Sequence, residues 1–247
     1  MLAWIAHMIS GMNTRYIYLG KKYLFFVMPP PKKLLIFGIG TLGEIAGFYF
    51  QSDTNYEVVA FVDHSEFVKT RTSILNKPVI DWDTAKEQFP PADVNLFVAI
   101  GYRKTNSIRQ ARFEEVRAAG YRCASYISSK AINFSVSIGE NCFILENNVL
   151  QPYTCIGDNV TMWSGNHLGH HSIVENNCFI TSHVVISGKC RIGANSFLGV
   201  NCCLHDGVTI GEKSVIGAGS IVAVSCDSHS VFVPQKTEPR RITRNVI

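Results

Sequence analysis

A ladder of aliphatic residues spaced six apart runs without a gap through the C-terminal half of this 247-residue chain. The register three residues later holds no aliphatic residue. Because side chains alternate along a strand with period two, a six-residue unit contains one short strand and one corner, and three units close a turn. The period therefore predicts a three-sided parallel β-helix. Its sixteen rungs are Ile132, Ile138, Ile144, Leu150, Ile156, Met162, Leu168, Val174, Ile180, Ile186, Ile192, Leu198, Leu204, Ile210, Ile216 and Val222.

Small residues occupy the positions that flank the rungs. Glycine often follows a rung, at 139, 157, 169, 193, 199, 211 and 217, where we expect tight corners that favour a residue without Cβ. Small or medium side chains stand two residues before each rung and point inward. Five of the eight cysteines have this position, so we interpret them as core fillers in a reducing, cytoplasmic compartment. They are Cys142, Cys178, Cys190, Cys202 and Cys226.

Composition favours a globular protein that binds small ligands. The chain is 47% hydrophobic and 17% charged, which is compatible with two domains that each have a core. Its net charge is +4, yet the predicted β-helix holds three basic against six acidic residues. Since no dense basic patch with interleaved aromatic residues occurs, we expect no nucleic-acid partner. The modest basic surplus outside the β-helix suits small phosphorylated ligands.

Residues 1–31 are predicted to be an N-terminal extension, and Met28 is expected to be the start of the native protein. Residues 1–27 are apolar but too interrupted by charges for a membrane span, and they lack the features of a signal peptide. An amphipathic segment on a membrane surface is the alternative, and no stable membrane insertion is expected. Residues 236–247 are predicted to be a C-terminal tail.

Residues 32–129 show alternating strand and helix patterns. A strand at 34–37, a glycine loop, a helix at 44–51 and a strand at 58–62 form a predicted βαβ unit, and a further strand covers 96–100. This order predicts a parallel, Rossmann-like sheet. Gly38, Gly40 and Gly43 let a backbone approach a phosphate at a helix N-terminus, and Asp63 stands where a ribose hydroxyl is held. A tight turn without a ligand is the alternative interpretation.

A dehydrogenase is a second interpretation of the glycine loop. Such an enzyme needs a substrate domain over the nicotinamide ring, whereas a β-helix over residues 130–235 follows here. We therefore favour a nucleotide that is held for positioning rather than for redox chemistry.

Histidines cluster in one part of the predicted β-helix. His167, His170 and His171 lie within residues 166–171. His170 is two residues past a rung, so we expect it to face outward near a corner, where its imidazole is accessible as a base.

An apolar stripe stands one residue before the rungs of one face. We expect it to point outward and to form an interface, and a triangular prism packs naturally as a homotrimer with clefts between its subunits. Its members, eighteen residues apart, are Phe143, Thr161, Phe179, Phe197 and Val215.

These features resemble the hexapeptide-repeat acyltransferases with a left-handed β-helix. Residues 32–235 are similar to the subfamily that has an N-terminal nucleotide-sugar-binding domain, which includes bacterial UDP-sugar and GDP-sugar N-acetyltransferases and sialic acid O-acetyltransferases. The ladder carries the resemblance to the superfamily, and the segment 99–101, the glycine loop and the run 166–171 carry that to the subfamily. It implies an acetyl-CoA-dependent N-acetyltransferase of a nucleotide-linked amino sugar, used in polysaccharide or glycan synthesis.

The resemblance also implies roles for individual residues. His170 matches the family's general base, and His171 stands where an acidic residue often follows it, so both are candidate catalytic residues. Gly188 matches an oxyanion donor, while Lys236 either reaches a CoA phosphate or is a solvated tail charge. The positions that match CoA contacts are Phe179, Gly188, Val200 and Ala218. Those expected at the nucleotide of the acceptor are Gly38, Gly40, Thr41, Leu42, Asp63 and His64.

Three other functions stay open from the sequence. A sugar O-acetyltransferase is the near alternative. A zinc hydratase of the γ-carbonic anhydrase type is more distant, because its histidine ligands must stack thirty-six residues apart and no such pair involves His167, His170 or His171. No metal is therefore expected. The third is a nucleotide-sensing scaffold without catalysis.

Overall fold

A computed structural model describes residues 30–69 and 71–235 in full, and the backbone of residues 14–19 and 22–27. These two short segments are antiparallel strands, β1 (Thr14–Leu19) and β2 (Lys22–Val27). The expected start at Met28 and the tail residue Lys236 lie outside the described residues. Within the described part, no helix has the length and apolar character needed to cross a membrane.

The N-terminal domain is built on a five-stranded sheet with helices packed against it. The strand order is β5-β6-β4-β3-β7, and only the β5–β6 pair is antiparallel. The predicted parallel Rossmann-like sheet is therefore confirmed, although the sequence did not indicate the β5–β6 hairpin or helix α3. The elements are β3 (Lys32–Phe37), α1 (Thr41–Asp53), β4 (Tyr56–Asp63), α2 (Ser65–Val68), β5 (Ser73–Ile74), β6 (Lys77–Asp81), α3 (Trp82–Gln88), β7 (Asn95–Val98) and α4 (Ser107–Ala118).

The next eighteen strands each pair with a strand sixteen to eighteen residues away and stack in three parallel sheets, which we call faces 1, 2 and 3. Face 1 comprises β8 (Tyr126–Ile127), β11 (Phe143–Ile144), β14 (Thr161–Met162), β17 (Phe179–Ile180), β20 (Phe197–Leu198), β23 (Val215–Ile216) and β25 (Val231–Phe232). Face 2 comprises β9 (Ile132–Asn133), β12 (Val149–Leu150), β15 (His167–Leu168), β18 (Val185–Ile186), β21 (Cys203–Leu204) and β24 (Ile221–Val222). Face 3 comprises β10 (Ser137–Ile138), β13 (Cys155–Ile156), β16 (Ile173–Val174), β19 (Arg191–Ile192) and β22 (Thr209–Ile210).

The rungs form the core of this prism, with one exception. Every rung from Ile144 to Val222 is at most 3% exposed. Ile132 is 52% exposed and pairs with Val149, while Asn133 lies opposite the rung Leu150. The prediction that Ile132 is a rung is therefore wrong, because the first coil is one residue shorter than the others. That coil begins at strand β8, four residues before the predicted boundary at 130.

The corners of the prism use residues three past each rung. From Asn141 to Gly219 these residues have positive φ, and asparagine, which tolerates the left-handed region, fills six of these positions. The glycines directly after the rungs do not have positive φ. They are needed because the coils approach closely: a Cβ on Gly193 would lie 2.5 Å from the backbone nitrogen of Glu212. The expectation that these positions favour a residue without Cβ is confirmed, and its cause is the close approach of the coils rather than a positive φ.

Face 1 is covered by the N-terminal domain of the same chain. Phe143 and Phe179 are 1% and 2% exposed, and Tyr102 packs on Phe179 and Phe197 at centroid distances of 5.0 and 4.8 Å. The prediction that this stripe is exposed and forms a subunit interface is therefore wrong, since the stripe is the interface between the two domains.

Arg109 of helix α4 is the main polar contact in that interface. Its guanidinium donates to Thr161 Oγ1 at 2.6 Å and to the carbonyls of Asn177 and Cys178 at 2.7 and 3.1 Å. Burial lowers the pKa of Arg109 to about 10, so the group stays charged at neutral pH. Three acceptors and the ring of Phe179 compensate this charge, without a carboxylate partner among the described residues.

Candidate functional site

His170 projects from the corner between faces 2 and 3, which we call corner B (residues 151–154, 169–172, 187–190 and 205–208). The residue is exposed, as the sequence predicted. Its backbone N–H donates to Gln151 Oε1 at 2.9 Å, which anchors the corner. The imidazole is therefore held on a rigid coil and remains open to a ligand.

His171 lies directly against His170. The two Nδ1 atoms are 3.1 Å apart, so one ring donates and the other accepts. His171 has φ of 61° at the left-handed corner position, and its ring packs on Tyr153 with centroids 4.7 Å apart. If His171 accepts from His170, the Nε2 of His170 keeps its lone pair and can take a proton.

Gly188 lies beneath the His170 ring on the next coil. A Cβ at this position would lie 2.7 Å from His170 Cε1 and 2.8 Å from Nε2, so only glycine leaves room for the ring. The Gly188 N–H already donates to Asp206 Oδ1 at 2.8 Å. The resemblance assigns this N–H to an oxyanion, and in this structure the carboxylate of Asp206 accepts from it.

The other predicted CoA contacts lie on two different parts of the prism. Val200 is 43% exposed and Ala218 is exposed, and both lie on corner A, between faces 1 and 2 (residues 145–148, 163–166, 181–184, 199–202 and 217–220). Phe179 is buried under Tyr102 and Arg109, so the prediction that Phe179 contacts CoA is wrong. Face 2 separates corner A from His170 within one chain.

The glycine loop connects β3 to helix α1. Gly38 has φ of 121°, and a Cβ there would lie 2.5 Å from the carbonyl oxygen of Ala99, whereas Gly40 has open space before it. Gly43 packs on the backbone of Gly38. Of the predicted nucleotide contacts in this loop, Gly40 and Thr41 are exposed, and Leu42 is half-buried against the domain core.

Asp63 ends β4 at the same edge of the sheet. Its Oδ1 accepts from the backbone N–H of His64 at 2.9 Å. Burial raises the pKa of Asp63, and the backbone hydrogen bonds from His64 and Ile39 partly offset this effect. The His64 ring lies 3.3 Å from Glu115 Oε2, so this ring is already partnered.

The described residues contain no group of three or more His, Cys, Asp or Glu side chains that could hold a metal ion. All eight cysteines are free thiols, and burial raises the pKa of Cys142, Cys178 and Cys202 to about 12.

A cavity between the two domains was not predicted from the sequence. Its volume is about 640 Å³, and it lies between helix α1 and corner A. Its lining includes Tyr49, Glu146 and Trp163. The position directly after a rung often holds glycine, so the large side chain of Trp163 at such a position was a signal in the sequence.

Comparisons with known proteins agree with this architecture. Residues 33–116 match the PglD N-terminal domain, and residues 189–223 match the hexapeptide repeat of succinyl-transferase. A search of curated protein sequences finds no match. A histidine-to-asparagine mutant of perosamine N-acetyltransferase from Caulobacter crescentus, solved with CoA and GDP-perosamine, is 25% identical with a TM-score of 0.71. That alignment covers 84% of this chain and 97% of the other.

A second similar structure is the acetyltransferase domain of PglB from Neisseria gonorrhoeae in complex with acetyl coenzyme A. It is 22% identical, with a TM-score of 0.72 and coverage of 81% of this chain and 95% of that one. At this identity the likeness establishes the fold. The three-faced prism is thus a left-handed parallel β-helix, as the resemblance implied.

The β-helix fold and the matched hexapeptide repeat indicate an acyltransferase of the hexapeptide-repeat class. The chain is similar to the subfamily of this class that has an N-terminal domain of the PglD type, since residues 33–116 match that domain.

Proposed function

We propose that this protein transfers the acetyl group of acetyl-CoA to the amino group of a nucleotide-linked sugar, as a step in polysaccharide or glycan synthesis. The observation that carries the proposal is His170, an exposed imidazole whose Nδ1 is engaged by His171. The neighbouring proteins that bind CoA and GDP-perosamine, or acetyl coenzyme A, support the same chemistry.

The reaction moves one proton from the acceptor amine to the CoA thiolate. The amine nitrogen of the acceptor attacks the thioester carbonyl, a C–N bond forms, and the C–S bond breaks. His170 Nε2 accepts the proton of the amine and returns it to the departing thiolate of CoA, so an amide and a free thiol result. The contact with His171 holds the proton of His170 on Nδ1, which leaves Nε2 free to accept a proton and orients the base.

A second copy of the chain completes the site in this proposal. Within one chain, the N-terminal domain covers face 1, whereas His170 lies on corner B, beyond face 2. His170 and Gly188 on corner B can therefore meet Val200 and Ala218 on corner A only across two copies. We infer that CoA lies in this cleft, with the nucleotide held near Gly40, Thr41 and Asp63.

Face 2 offers the surface for such an assembly. Its outward positions, apolar except for His167, form an apolar stripe in which Val185 is 44% and Ile221 is 72% exposed. A heterologous contact between such stripes and neighbouring corners closes into a ring, and we propose a homotrimer. The stripe comprises Val149, His167, Val185, Cys203 and Ile221.

The expected compartment remains the cytoplasm. Eight free cysteines, four of them fully buried inside the β-helix, are compatible with a reducing environment.

The test is the release of free thiol from acetyl-CoA in the presence of UDP-, dTDP- and GDP-linked 3-amino and 4-amino sugars. We expect turnover with at least one amino sugar and none with the matching hydroxy sugar. Turnover that requires a sugar hydroxyl would identify an O-acetyltransferase instead. Binding of nucleotide sugars without any thiol release would favour the scaffold.

A further inference from the structure

The cavity of about 640 Å³ between the domains has a lining that selects its ligand. It starts at Thr41, in the first turn of helix α1, and follows that helix through Phe48 and Tyr49 to corner A. Corner A contributes Glu146 and Trp163. One end therefore touches the glycine loop, and the other lies on the β-helix.

Aromatic side chains form the apolar part of the lining. Phe48 is 59% exposed, which is unusual for a phenylalanine on a helix whose opposite side is in the core. Trp163 is half-buried, and its backbone is fixed because its N–H donates to Ile180 O at 2.9 Å and its carbonyl accepts from Asn148 Nδ2 at 2.9 Å. An indole that projects from a fixed backbone beside an open cavity is a platform for the apolar face of a ring.

Glu146 is the polar centre of the cavity. One oxygen accepts from Tyr49 Oη at 2.8 Å and the other accepts from Ser164 Oγ at 2.7 Å. Burial alone would raise the pKa of Glu146, but the hydrogen bonds from Ser164 and Tyr49 outweigh this effect and lower it. The carboxylate is thus ionised at neutral pH, is held in one orientation, and has further lone pairs for a donor.

The charge of the lining indicates which part of a nucleotide sugar can bind in the cavity. Glu44 and Glu146 are the charged residues among those that line the cavity, and no lysine, arginine or histidine accompanies them. Arg71 pairs with Glu44 at 2.9 Å, whereas Glu146 has no basic partner among the described residues. A diphosphate would meet like charge here, whereas the hydroxyl and amino groups of a sugar would meet an acceptor.

We propose that this cavity binds the sugar ring of the acceptor, with Trp163 stacked on its apolar face and Glu146 accepting hydrogen bonds from its hydroxyl or amino groups. The inference rests on the proposed function. It places the nucleoside diphosphate outside the cavity, at Gly40 and the sheet edge, with Thr41 between the two parts.

Binding measurements on the full chain test this assignment. The probes are GDP-perosamine, a UDP-linked 4-amino sugar, and free GDP and UDP, measured by calorimetry with wild type, Glu146→Gln and Trp163→Ala. For the probe that wild type binds, we expect each substitution to weaken the nucleotide sugar about tenfold or more, because a hydrogen bond to a charged group or a stacked aromatic ring contributes about that factor. Affinity for the free diphosphate should change less than about twofold.

Two controls keep the result interpretable. Glu212→Gln removes an exposed carboxylate on another corner of the β-helix and should leave both affinities unchanged. Trp163→Phe retains a ring and should lose less affinity than Trp163→Ala, which guards against a folding defect. Thermal unfolding of each variant accompanies the titrations.

The outcomes separate this inference from the proposed function. Equal weakening of nucleotide sugar and free diphosphate would place the nucleotide in the cavity and overturn the assignment, and unchanged sugar affinity would overturn it too. Both results leave the acetyltransferase standing if wild type releases thiol. A wild type that neither binds a nucleotide sugar nor releases thiol would contradict the proposed function, and this inference with it.

Discussion

At the scale of single residues, the contact between His170 and His171 is the central feature of the candidate site. A carboxylate beside a histidine stabilises the protonated ring, whereas a second imidazole can orient the base without adding negative charge. Gln151, Tyr153 and Gly188 complete the surroundings of the pair. We therefore assign His171 to positioning the base.

His171→Glu and His171→Ala separate these effects. We expect Glu to move the acid limb of the kcat/KM profile to higher pH, because its charge favours the protonated form of His170. Ala should lower kcat about tenfold, with KM for acetyl-CoA unchanged, because the orientation of the ring is lost. Identical pH profiles for wild type and His171→Glu would contradict the positioning role.

The raised pKa of Asp63 predicts how the stability of the protein depends on pH. Its folded-state pKa is raised above the ordinary value of 3.8, so the native protein binds this proton more tightly than the unfolded chain does. The contribution of Asp63 to stability is therefore lost as pH rises through the folded pKa. Asp63→Asn keeps the acceptor for His64 N–H and removes the charge. We expect its melting temperature to exceed that of wild type at pH 7, with the difference vanishing near pH 4.

The control for that comparison is Asp93→Asn, an exposed carboxyl in the same domain. A melting temperature of Asp63→Asn below that of wild type at pH 7 would show that the charge stabilises the domain. The melting temperatures are measured by thermal unfolding, followed by circular dichroism, across the pH range.

Whether the surroundings of these residues could be predicted from the sequence depends on whether their contacts are local in the chain. The accessibility of His170 followed from its distance to a rung, and that prediction is confirmed. The burial of Phe179 could not be predicted, because Tyr102 and Arg109 reach it from a domain some seventy residues earlier. The engagement of Gly188 by Asp206 likewise depends on a neighbouring coil.

At the scale of elements, the period of six determined the β-helix, because each coil repeats the contacts of the previous one. The βαβ unit was equally regular. The register of the first coil was not predictable, since its one-residue deletion leaves Ile132 in the sequence pattern but outside the core. The packing of helix α4 on face 1 was also missed, because an outward stripe has the same sequence whether solvent or another domain covers it.

Substitution of Arg109 tests whether helix α4 holds the two domains together. Arg109→Met leaves Thr161 Oγ1 and the carbonyls of Asn177 and Cys178 without this donor, and we expect a loss of about 3 kcal/mol in the free energy of unfolding. Denaturant unfolding measures it. Thr161→Val in the same chain should restore part of the loss, because it removes one of the stranded acceptors.

The matched control is Arg122→Met, since Arg122 is exposed and should change stability by less than about 0.5 kcal/mol. Equal stability of the Arg109 and Arg122 variants would show that apolar packing alone holds the domains.

At the scale of the whole molecule, the proposed acetyl transfer requires a site that is shared between copies of the chain. The predicted stripe on face 1 was wrong, and the apolar stripe on face 2 replaces it as the expected interface. Ile221→Asp places a charge where the side chain is 72% exposed in one chain. We expect this variant to be monomeric in analytical ultracentrifugation and to lose about 100-fold or more in kcat/KM, because each copy then lacks half of the site.

An equivalent change on face 3, Thr209→Asp, is the control and should preserve both assembly and activity, since Thr209 is exposed outside the proposed interface. A fully active monomer of Ile221→Asp would contradict the shared site.

The most direct measurement of the central claim compares CoA release with product formation in wild type and His170→Ala. With an accepted nucleotide-linked amino sugar, wild type should release one free thiol for each amide, identified by mass spectrometry as the addition of one acetyl group. His170→Ala should lower kcat about 100-fold or more, the usual contribution of a general base, while it still binds CoA. Undiminished turnover in that variant, or thiol release without an amide, would contradict the account.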